Sequence, residues 1–301
     1  MLLSLLALSG CDNSAAEALL TCAGGNMEAC YKEGVAASNA ARPRYDEARR
    51  AFSSACMNIH HAQSCMELGR LVRDAKGGPR DLHRASELFE IACKGDLPVA
   101  CVEQGLLLYK DKDGLKAQPE RAAVLFSGAC EKVDAASTPA DGPHPLAASC
   151  DALGTAYREG IGVEPPKSDP EKAAQLYLRS CDAGFAQGCV NGGNLAAESK
   201  KKDDVARAAE LYERACKLDA RQGCFELATL HEQKAWPDAD DQKAAVFFQK
   251  TCSIDPTRGC YEAGLLMETE RVQAREGEIE YLYNLACEHG NSTACAKRNL
   301  Q

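Results

Sequence analysis

The chain has 301 residues, of which 45% are apolar, 26% are charged and 6% are aromatic. This is the composition of an ordinary folded protein, and so few aromatic residues suit helices that pack through small side chains better than a large β-core. The formal net charge of −9 gives no basic excess, which excludes a typical nucleic-acid-binding protein, and we interpret the acidity as a solvated surface.

The amino-terminal residues 1–10 are apolar and uncharged, which is typical of a signal peptide, and they are too few to span a membrane as a helix. Residues 8–11 read Leu-Ser-Gly-Cys and resemble a bacterial lipobox, which implies cleavage before Cys11 and a lipid on its sulfur. The alternative is an ordinary signal peptide that leaves a free thiol. We expect residues 11–26 to form a tether and an N-terminal cap helix.

The cysteines form the strongest pattern. Seventeen of them are more than a reducing cytosol favours, whereas disulfides persist in compartments such as the periplasm. Apart from Cys11, they fall into eight consecutive pairs: Cys22 and Cys30, Cys56 and Cys65, Cys93 and Cys101, Cys130 and Cys150, Cys181 and Cys189, Cys216 and Cys224, Cys252 and Cys260, and Cys287 and Cys295.

Metal binding and redox catalysis are the alternatives to structural disulfides. Structural zinc sites and thioredoxin-like sites require closer spacing such as C-x-x-C, which does not occur in this sequence. Each first cysteine ends an apolar-periodic run and each second cysteine begins another. We therefore predict eight disulfides that clip the end of one helix to the start of the next. The glycines between the cysteines are predicted to be left-handed helix C-caps: Gly25, Gly95, Gly184 and Gly290.

The pairs also define a repeat. Their first cysteines recur every 34 to 37 residues, with a single step of 51 that contains the segment 135–145. A period of this length is typical of a helical solenoid, and we interpret residues 135–145 as an insertion loop. The sequence thus predicts an all-α protein, an α/α superhelical solenoid of about seven helical hairpins over residues 27–291, with a C-terminal cap at residues 292–301.

Two further positions recur within each repeat. Four residues after the second cysteine, six repeats have a glycine and the seventh has Ala228. We attribute the glycine to the close approach of a neighbouring helix: Gly34, Gly69, Gly105, Gly154, Gly193 and Gly264. An aromatic residue stands four residues before the first cysteine, and we interpret it as the side chain that packs each hairpin on its neighbour: Phe52, Phe89, Phe126, Tyr177, Tyr212, Phe248 and Tyr283.

One segment resembles a known repeat. Residues 160–163, Gly-Ile-Gly-Val, and residues 169–177, Asp-Pro-Glu-Lys-Ala-Ala-Gln-Leu-Tyr, are similar to the consensus of the Sel1-like repeat (SLR), a relative of the tetratricopeptide repeat. The added cysteine and glycine pattern resembles the cysteine-rich Helicobacter proteins, the Hcp-like family. The resemblance implies an α/α superhelix with one disulfide per repeat, in a secreted or periplasmic protein that binds partners. Some members of that family carry a β-lactamase or penicillin-binding label.

Candidate chemical sites are few. S-x-x-K occurs only at residues 199–202, beginning with Ser199, and without a K-T-G element we interpret it as a solvated linker. His60 and His61 could bind a metal weakly, and Trp236 is interpreted as a packing residue at a turn. We therefore predict no catalytic residue, no cofactor site and no metal site.

These observations favour a non-enzymatic interaction or scaffold lipoprotein of the bacterial cell envelope, in the periplasm or at the cell surface, anchored to a membrane through the lipid on Cys11. The alternative is a β-lactamase or penicillin-binding enzyme of the Hcp-like type. We expect a protein or peptide partner on the concave solenoid face, and no nucleic acid. Four glutamates two residues after second cysteines predict an exposed acidic row, which suits a basic partner or serves only for solvation: Glu67, Glu103, Glu226 and Glu262.

Overall fold

The computed structural model describes residues 21–133, 142–199 and 201–298. The chain divides into two compact units, one up to Leu125 and one from Phe126 onwards. Every regular element in the described ranges is an α-helix, and the one β-bridge, between Lys112 and Leu115, is isolated. The predicted all-α hairpin fold is confirmed.

The first unit contains α1 (Met27–Ser38), α2 (Tyr45–Ile59), α3 (Ala62–Arg73), α4 (Leu82–Lys94) and α5 (Pro98–Leu108). The boundary between the units lies within α6 (Pro119–Cys130). The second unit continues with α7 (Ala147–Glu159), α8 (Pro170–Asp182), α9 (Ala186–Glu198), α10 (Lys202–Lys217), α11 (Arg221–Glu232), α12 (Asp241–Ile254), α13 (Pro256–Glu268), α14 (Glu278–Glu288) and α15 (Ser292–Arg298).

The helices alternate between two kinds. Odd-numbered helices from α1 to α13, here called A helices, carry a second cysteine near their start, and even-numbered helices, called B helices, carry a first cysteine near their end. Eight disulfides join the pairs that the spacing predicts, with Cα–Cα distances between 4.3 and 4.8 Å. Each bridge except the first joins the end of a B helix to the start of the next odd-numbered helix, so the hairpins are tied in sequence.

The recurring glycine and the recurring aromatic residue meet inside a single hairpin. A Cβ added at Gly34 would lie 2.5 Å from Cε1 of Phe52, and one added at Gly193 would lie 2.6 Å from Cε1 of Tyr212. The aromatic ring is almost fully buried in all seven repeats. It occupies the space that the glycine leaves at Gly34, Gly69, Gly154, Gly193 and Gly264. The predicted close approach of a helix to the glycine is confirmed. The ring, however, packs against the A helix of its own hairpin, whereas the sequence analysis assigned it to the contact with the neighbouring hairpin.

A second requirement for small residues appears just before the second cysteine. A Cβ at Gly188 would lie 2.6 Å from Ser180 Oγ, and one at Gly223 would lie 2.5 Å from Ala215 Cβ. At Gly259 the nearest atom would be the backbone nitrogen of Cys252, at 2.3 Å. The disulfide draws the two helix ends together at this position, so even the methyl group of an alanine would clash at these three glycines.

The turns between hairpins depart from the prediction at one position. Gly25, Gly184 and Gly290 have the predicted left-handed backbone, with φ of 85°, 82° and 96°. Gly95 does not, because its φ is −81°, and the left-handed residue of that turn is Asp96, with φ of 61°. Aspartate is among the non-glycine residues that tolerate this conformation.

The predicted signal peptide, Cys11, most of the cap segment 11–26 and most of the insertion loop lie outside the described residues. The described end of the insertion loop contacts the helical repeats, because the His144 N–H donates to Ala183 O at 2.9 Å and Leu146 is buried. Of the helices in the described ranges, none is both long enough and apolar enough to cross a bilayer.

Candidate partner-binding grooves

Surface grooves recur between consecutive B helices, each with the intervening A helix as its floor. In the first unit the α2/α4 groove encloses about 550 Å³ and is lined by residues such as Arg49, Leu68 and Arg84. In the second unit the α8/α10 groove encloses about 460 Å³ and the α10/α12 groove about 480 Å³. Volumes of this size are those of ordinary ligand and peptide-anchor pockets.

The three grooves are built from equivalent repeat positions. Each takes a basic residue nine positions before the first cysteine of its later B helix: Arg84, Arg207 and Lys243. Each takes its floor from the third and seventh positions after the second cysteine of its A helix: Leu68 and Val72, Gly192 and Ala196, and Leu227 and His231. The repeat itself therefore generates the grooves, and the residues that vary between repeats set their chemistry.

The α10/α12 groove has an aromatic floor. The rings of His231 and Trp236 lie 4.6 Å apart between centroids, and His231 stacks on Phe247 at 5.7 Å with an interplanar angle of 15°. Val246, at the edge, is 52% exposed. Trp236, predicted to be a packing residue at a turn, packs against His231 and also lines the groove.

His231 is held neutral by this environment. Its side chain is buried, and its Nδ1 accepts a hydrogen bond from the Asp240 N–H at 3.2 Å. Burial, followed by the positive charge of Lys243, lowers the pKa of His231. An acceptor role for Nδ1 requires the neutral ring, so the floor carries no charge at neutral pH.

Carboxylates occupy the rim of the α10/α12 groove. Glu210 and Glu213 stand one turn apart on α10, Asp238 lies in the turn before α12, and Lys243 on α12 is the basic residue that also lines this groove. Glu213 accepts from Lys217 at 2.8 Å, but both side chains are largely exposed, at 48% and 70%. Exposed pairs of this kind are weak, so the rim remains net acidic.

The α2/α4 groove has the opposite charge. Arg49, Arg50 and Arg84 all line it. Arg50 pairs with Asp46 at 3.2 Å and Arg84 with Glu87 at 2.8 Å, and these acids lie on the same helices as the arginines. Grooves at equivalent repeat positions therefore differ in sign, so they are suited to different ligand chemistry.

The predicted acidic row on the A helices is not an exposed face. All four glutamates are half-buried. In the first unit Glu103 accepts from Arg70 Nε at 2.9 Å and from Arg73 Nη1 at 2.6 Å, and Arg70 also pairs with Glu67 at 3.0 Å. This part of the row is neutralised because arginines on α3 lie beside the glutamate on α5.

In the second unit two A-helix acids, Asp151 and Glu262, lie in surroundings that disfavour their charged forms. Asn191 Nδ2 donates to Asp151 Oδ1 at 2.7 Å, and burial raises the pKa of Asp151 to about 6. Burial, followed by the neighbouring Glu232, also raises the pKa of Glu262. These carboxylates resist ionisation because the packed A helices withhold water from them.

The S-x-x-K element does not assemble a nucleophile and base in the described residues. Ser199 Oγ donates to Asp204 Oδ2 at 2.5 Å, and Lys202 is an exposed residue at the start of α10. A serine whose hydroxyl is bonded to a carboxylate at an exposed turn lacks the lysine contact that this element provides in serine acyl enzymes.

The two adjacent histidines also fail to converge. His61 Nδ1 shares a hydrogen bond with Ser64 Oγ at 2.8 Å, and His60 is exposed with a left-handed backbone. The described ranges hold no group of three or more histidine, cysteine, aspartate or glutamate side chains placed to bind a metal ion.

Comparison with known proteins agrees with this architecture. The Sel1 repeat family matches residues 62–97, 147–185 and 197–219. The first match covers the α3–α4 hairpin, the second covers the α7–α8 hairpin, and the third covers α10. The matched segments thus lie in both units.

Two solved structures share the fold. A Sel1 repeat protein from Oxalobacter formigenes superposes with a TM-score of 0.71 at 19% identity, covering 96% of this chain and 80% of that one. The antigen c5321 of uropathogenic Escherichia coli, which has an SLR fold, gives a TM-score of 0.65 at 21% identity over 91% of this chain and 56% of that one.

Two curated relatives are similar to only part of this chain. Cytochrome c oxidase assembly factor 7 of mouse is 30% identical over 126 residues, and the human protein is 28% identical over 123 residues. Each alignment covers 40% of this chain, and the chain spans about half the length of these relatives, 49% in both cases.

Proposed function

We propose, from the premise that this chain is a protein of Sel1 repeats, that it is a non-enzymatic scaffold that binds partner proteins in the grooves between its B helices. Sel1 repeats mediate protein–protein interactions. The observation that carries the proposal is the recurrence of one groove at equivalent positions with different charges. The curated relatives are named as an assembly factor, and a scaffold role is in keeping with that name.

Site-specific photo-crosslinking tests this function. Benzoylphenylalanine would replace Val246, which is 52% exposed in the α10/α12 groove, or Leu218, which is 45% exposed in the turn between α10 and α11. We expect irradiation of producing cells to join one recurring protein to the position 246 variant and not to the position 218 control. A third variant carries the crosslinker at Ser53, which lines the α2/α4 groove. Groove binding would be excluded if positions 246 and 218 gave identical adducts, or if neither position 246 nor position 53 gave an adduct.

We further propose that the chain is an exported bacterial lipoprotein anchored in the cell envelope through Cys11. The Leu-Ser-Gly-Cys motif supports this proposal. The eight disulfides support it too, because they pair all the cysteines except Cys11 and require an oxidising compartment. Intact-mass analysis of membrane-extracted protein, without reductant, should show a chain that begins at Cys11, carries added acyl mass and has no alkylatable thiol.

The Cys11→Ala variant supplies the control for that measurement. It should lack the acyl mass and leave the membrane fraction while keeping all eight disulfides, because Cys11 has no partner among the eight pairs. A wild-type chain that retains residues 1–10, or that alkylates at several cysteines, would contradict export and lipidation.

A further inference from the structure

The α10/α12 groove combines two properties that the other two grooves do not share. Its floor is aromatic, with Trp236, His231 and Phe247 in contact, whereas the α8/α10 groove offers aliphatic side chains such as Leu178 and Leu211. The edge residue Val246 leaves an apolar surface in contact with water. Large amphipathic rings beside solvent are the surfaces that bind the apolar anchors of partner proteins.

The charge of this groove selects a cation. Glu210 and Glu213 on α10 and Asp238 across the groove outnumber Lys243, and His231 in the floor is neutral. Lysine and arginine place their aliphatic stems along apolar surface and their charged ends at its edge, so they match an apolar floor with an acidic rim. Their cationic groups also gain from proximity to the face of a tryptophan.

We infer that the α10/α12 groove binds a segment of a partner protein in which lysine or arginine stands beside apolar side chains. The apolar side chains contact Trp236 and Phe247, and the cation lies by Glu210 and Glu213. This inference rests on the proposed scaffold function and names the chemistry of one partner. The basic α2/α4 groove, lined by three arginines, does not accept such a segment.

Trp236 supplies a direct reporter, because it is the single tryptophan of the chain. The full chain would be titrated with three model peptides of equal length while tryptophan emission is recorded: alternating leucine and lysine, alternating leucine and glutamate, and alternating serine and lysine. We expect saturable change only with the leucine–lysine peptide, and weaker binding as salt is raised. An equal response to either of the other two peptides would overturn the inference.

Charge-neutral variants locate the site. The double variant Glu210→Gln, Glu213→Gln should weaken binding of the leucine–lysine peptide about tenfold, since two carboxylates that face the cation are lost. The matched control, Glu276→Gln with Glu280→Gln, removes two exposed carboxylates that do not line the groove and should leave the affinity unchanged. Equal effects of the two double variants would show that the overall charge of the protein attracts the peptide, which contradicts the inference.

The peptide titration and the photo-crosslinking experiment distinguish failure of this inference from failure of the proposed scaffold function. If photo-crosslinking captures a partner but Trp236 emission does not respond to the leucine–lysine peptide, the chain is a scaffold whose α10/α12 groove has another ligand chemistry, and this inference fails alone. If the peptide binds as expected and crosslinking yields no adduct, the groove has the inferred chemistry and the scaffold role in the cell fails.

Discussion

Asp151 illustrates how a single side chain reports on the packing around it. It lies one residue after the second cysteine of its repeat, on the face of α7 that meets α9. Asn191 donates to one of its carboxylate oxygens, but burial is the larger effect and raises the pKa of Asp151 to about 6 from an ordinary value of 3.8. The carboxylate is therefore a source of pH-dependent instability at neutral pH.

Asp151→Asn should stabilise the protein at pH 7.5 and have little effect below pH 4. Between pH 3.8 and about 6 the folded carboxyl retains a proton that the unfolded chain has lost, so the free energy of unfolding falls as pH rises through this window. The loss is complete above about pH 6 and amounts to about 1–3 kcal/mol. The asparagine keeps the acceptor for Asn191 and removes the charge.

Thermal melts of both proteins from pH 4 to pH 8 measure this difference. The Asp203→Asn variant, at an exposed position on α10, serves as the control and should show no gain that grows with pH. Equal melting temperatures for wild type and Asp151→Asn at pH 7.5 would mean that water or a conformational change solvates the carboxylate in the folded protein.

At the scale of one helix, the position of a residue relative to the cysteines decides its environment. Three residues after the first cysteine, the backbone is left-handed in five turns: Gly25, Asp96, Gly184, Asp219 and Gly290. The prediction at Gly95 was wrong because it assigned the left-handed backbone to the glycine two residues after Cys93, whereas the left-handed residue is the third one, Asp96. Aspartate at two of the five positions satisfies the same geometry at a modest energetic cost.

The two kinds of helix also present different surfaces. On the A helices, the four glutamates two residues after a second cysteine are half-buried, and Glu103 lies between the guanidinium groups of Arg70 and Arg73. The B helices instead expose apolar side chains six residues before the first cysteine, at Val124, Val246 and Tyr281, which are 72%, 52% and 62% exposed. The B helices therefore expose apolar side chains at a fixed repeat position, and the A helix α5 exposes one as well, at Leu106.

At the scale of the whole molecule, comparison among the repeats identifies a residue that does not fit its position. Gln104 stands three residues after a second cysteine, where three of the six other repeats place leucine, at Leu68, Leu153 and Leu227. Gln104 is 1% exposed, and its Nε2 finds no hydrogen-bond partner among the described residues. A buried amide donor without a partner costs about 1–3 kcal/mol of stability.

Gln104→Leu should therefore raise the free energy of unfolding by about 1–2 kcal/mol, because it removes the unpaired donor and keeps the side-chain volume nearly constant. Chemical denaturation with the disulfides intact measures the change. The reciprocal substitution Leu68→Gln, at the equivalent position of the preceding repeat, should destabilise the protein. A loss of stability in Gln104→Leu would indicate that the amide has a role that the leucine cannot replace.

Local spacing determined most of the fold. A disulfide between cysteines eight or nine residues apart fixes a helix end to a helix start, and a period of about 36 residues fixes the hairpin. Glycines and aromatic residues at constant distances from the cysteines identified the helix contacts, because helical geometry converts sequence distance into a face. The cysteine pairs, the hairpins and the absence of strands from the described residues were therefore predictable.

Only the tertiary structure decided which surfaces are free and what charge they carry. Glu103 is neutralised by arginines about thirty residues earlier, and the α10/α12 groove draws its lining from three helices and a turn. Such sites combine side chains from consecutive repeats, and no single repeat contains them. The sequence period predicts that neighbouring repeats stack. It does not predict which side chains of one repeat contact which side chains of the next, and these contacts, set by packing in three dimensions, decide burial and ion pairing.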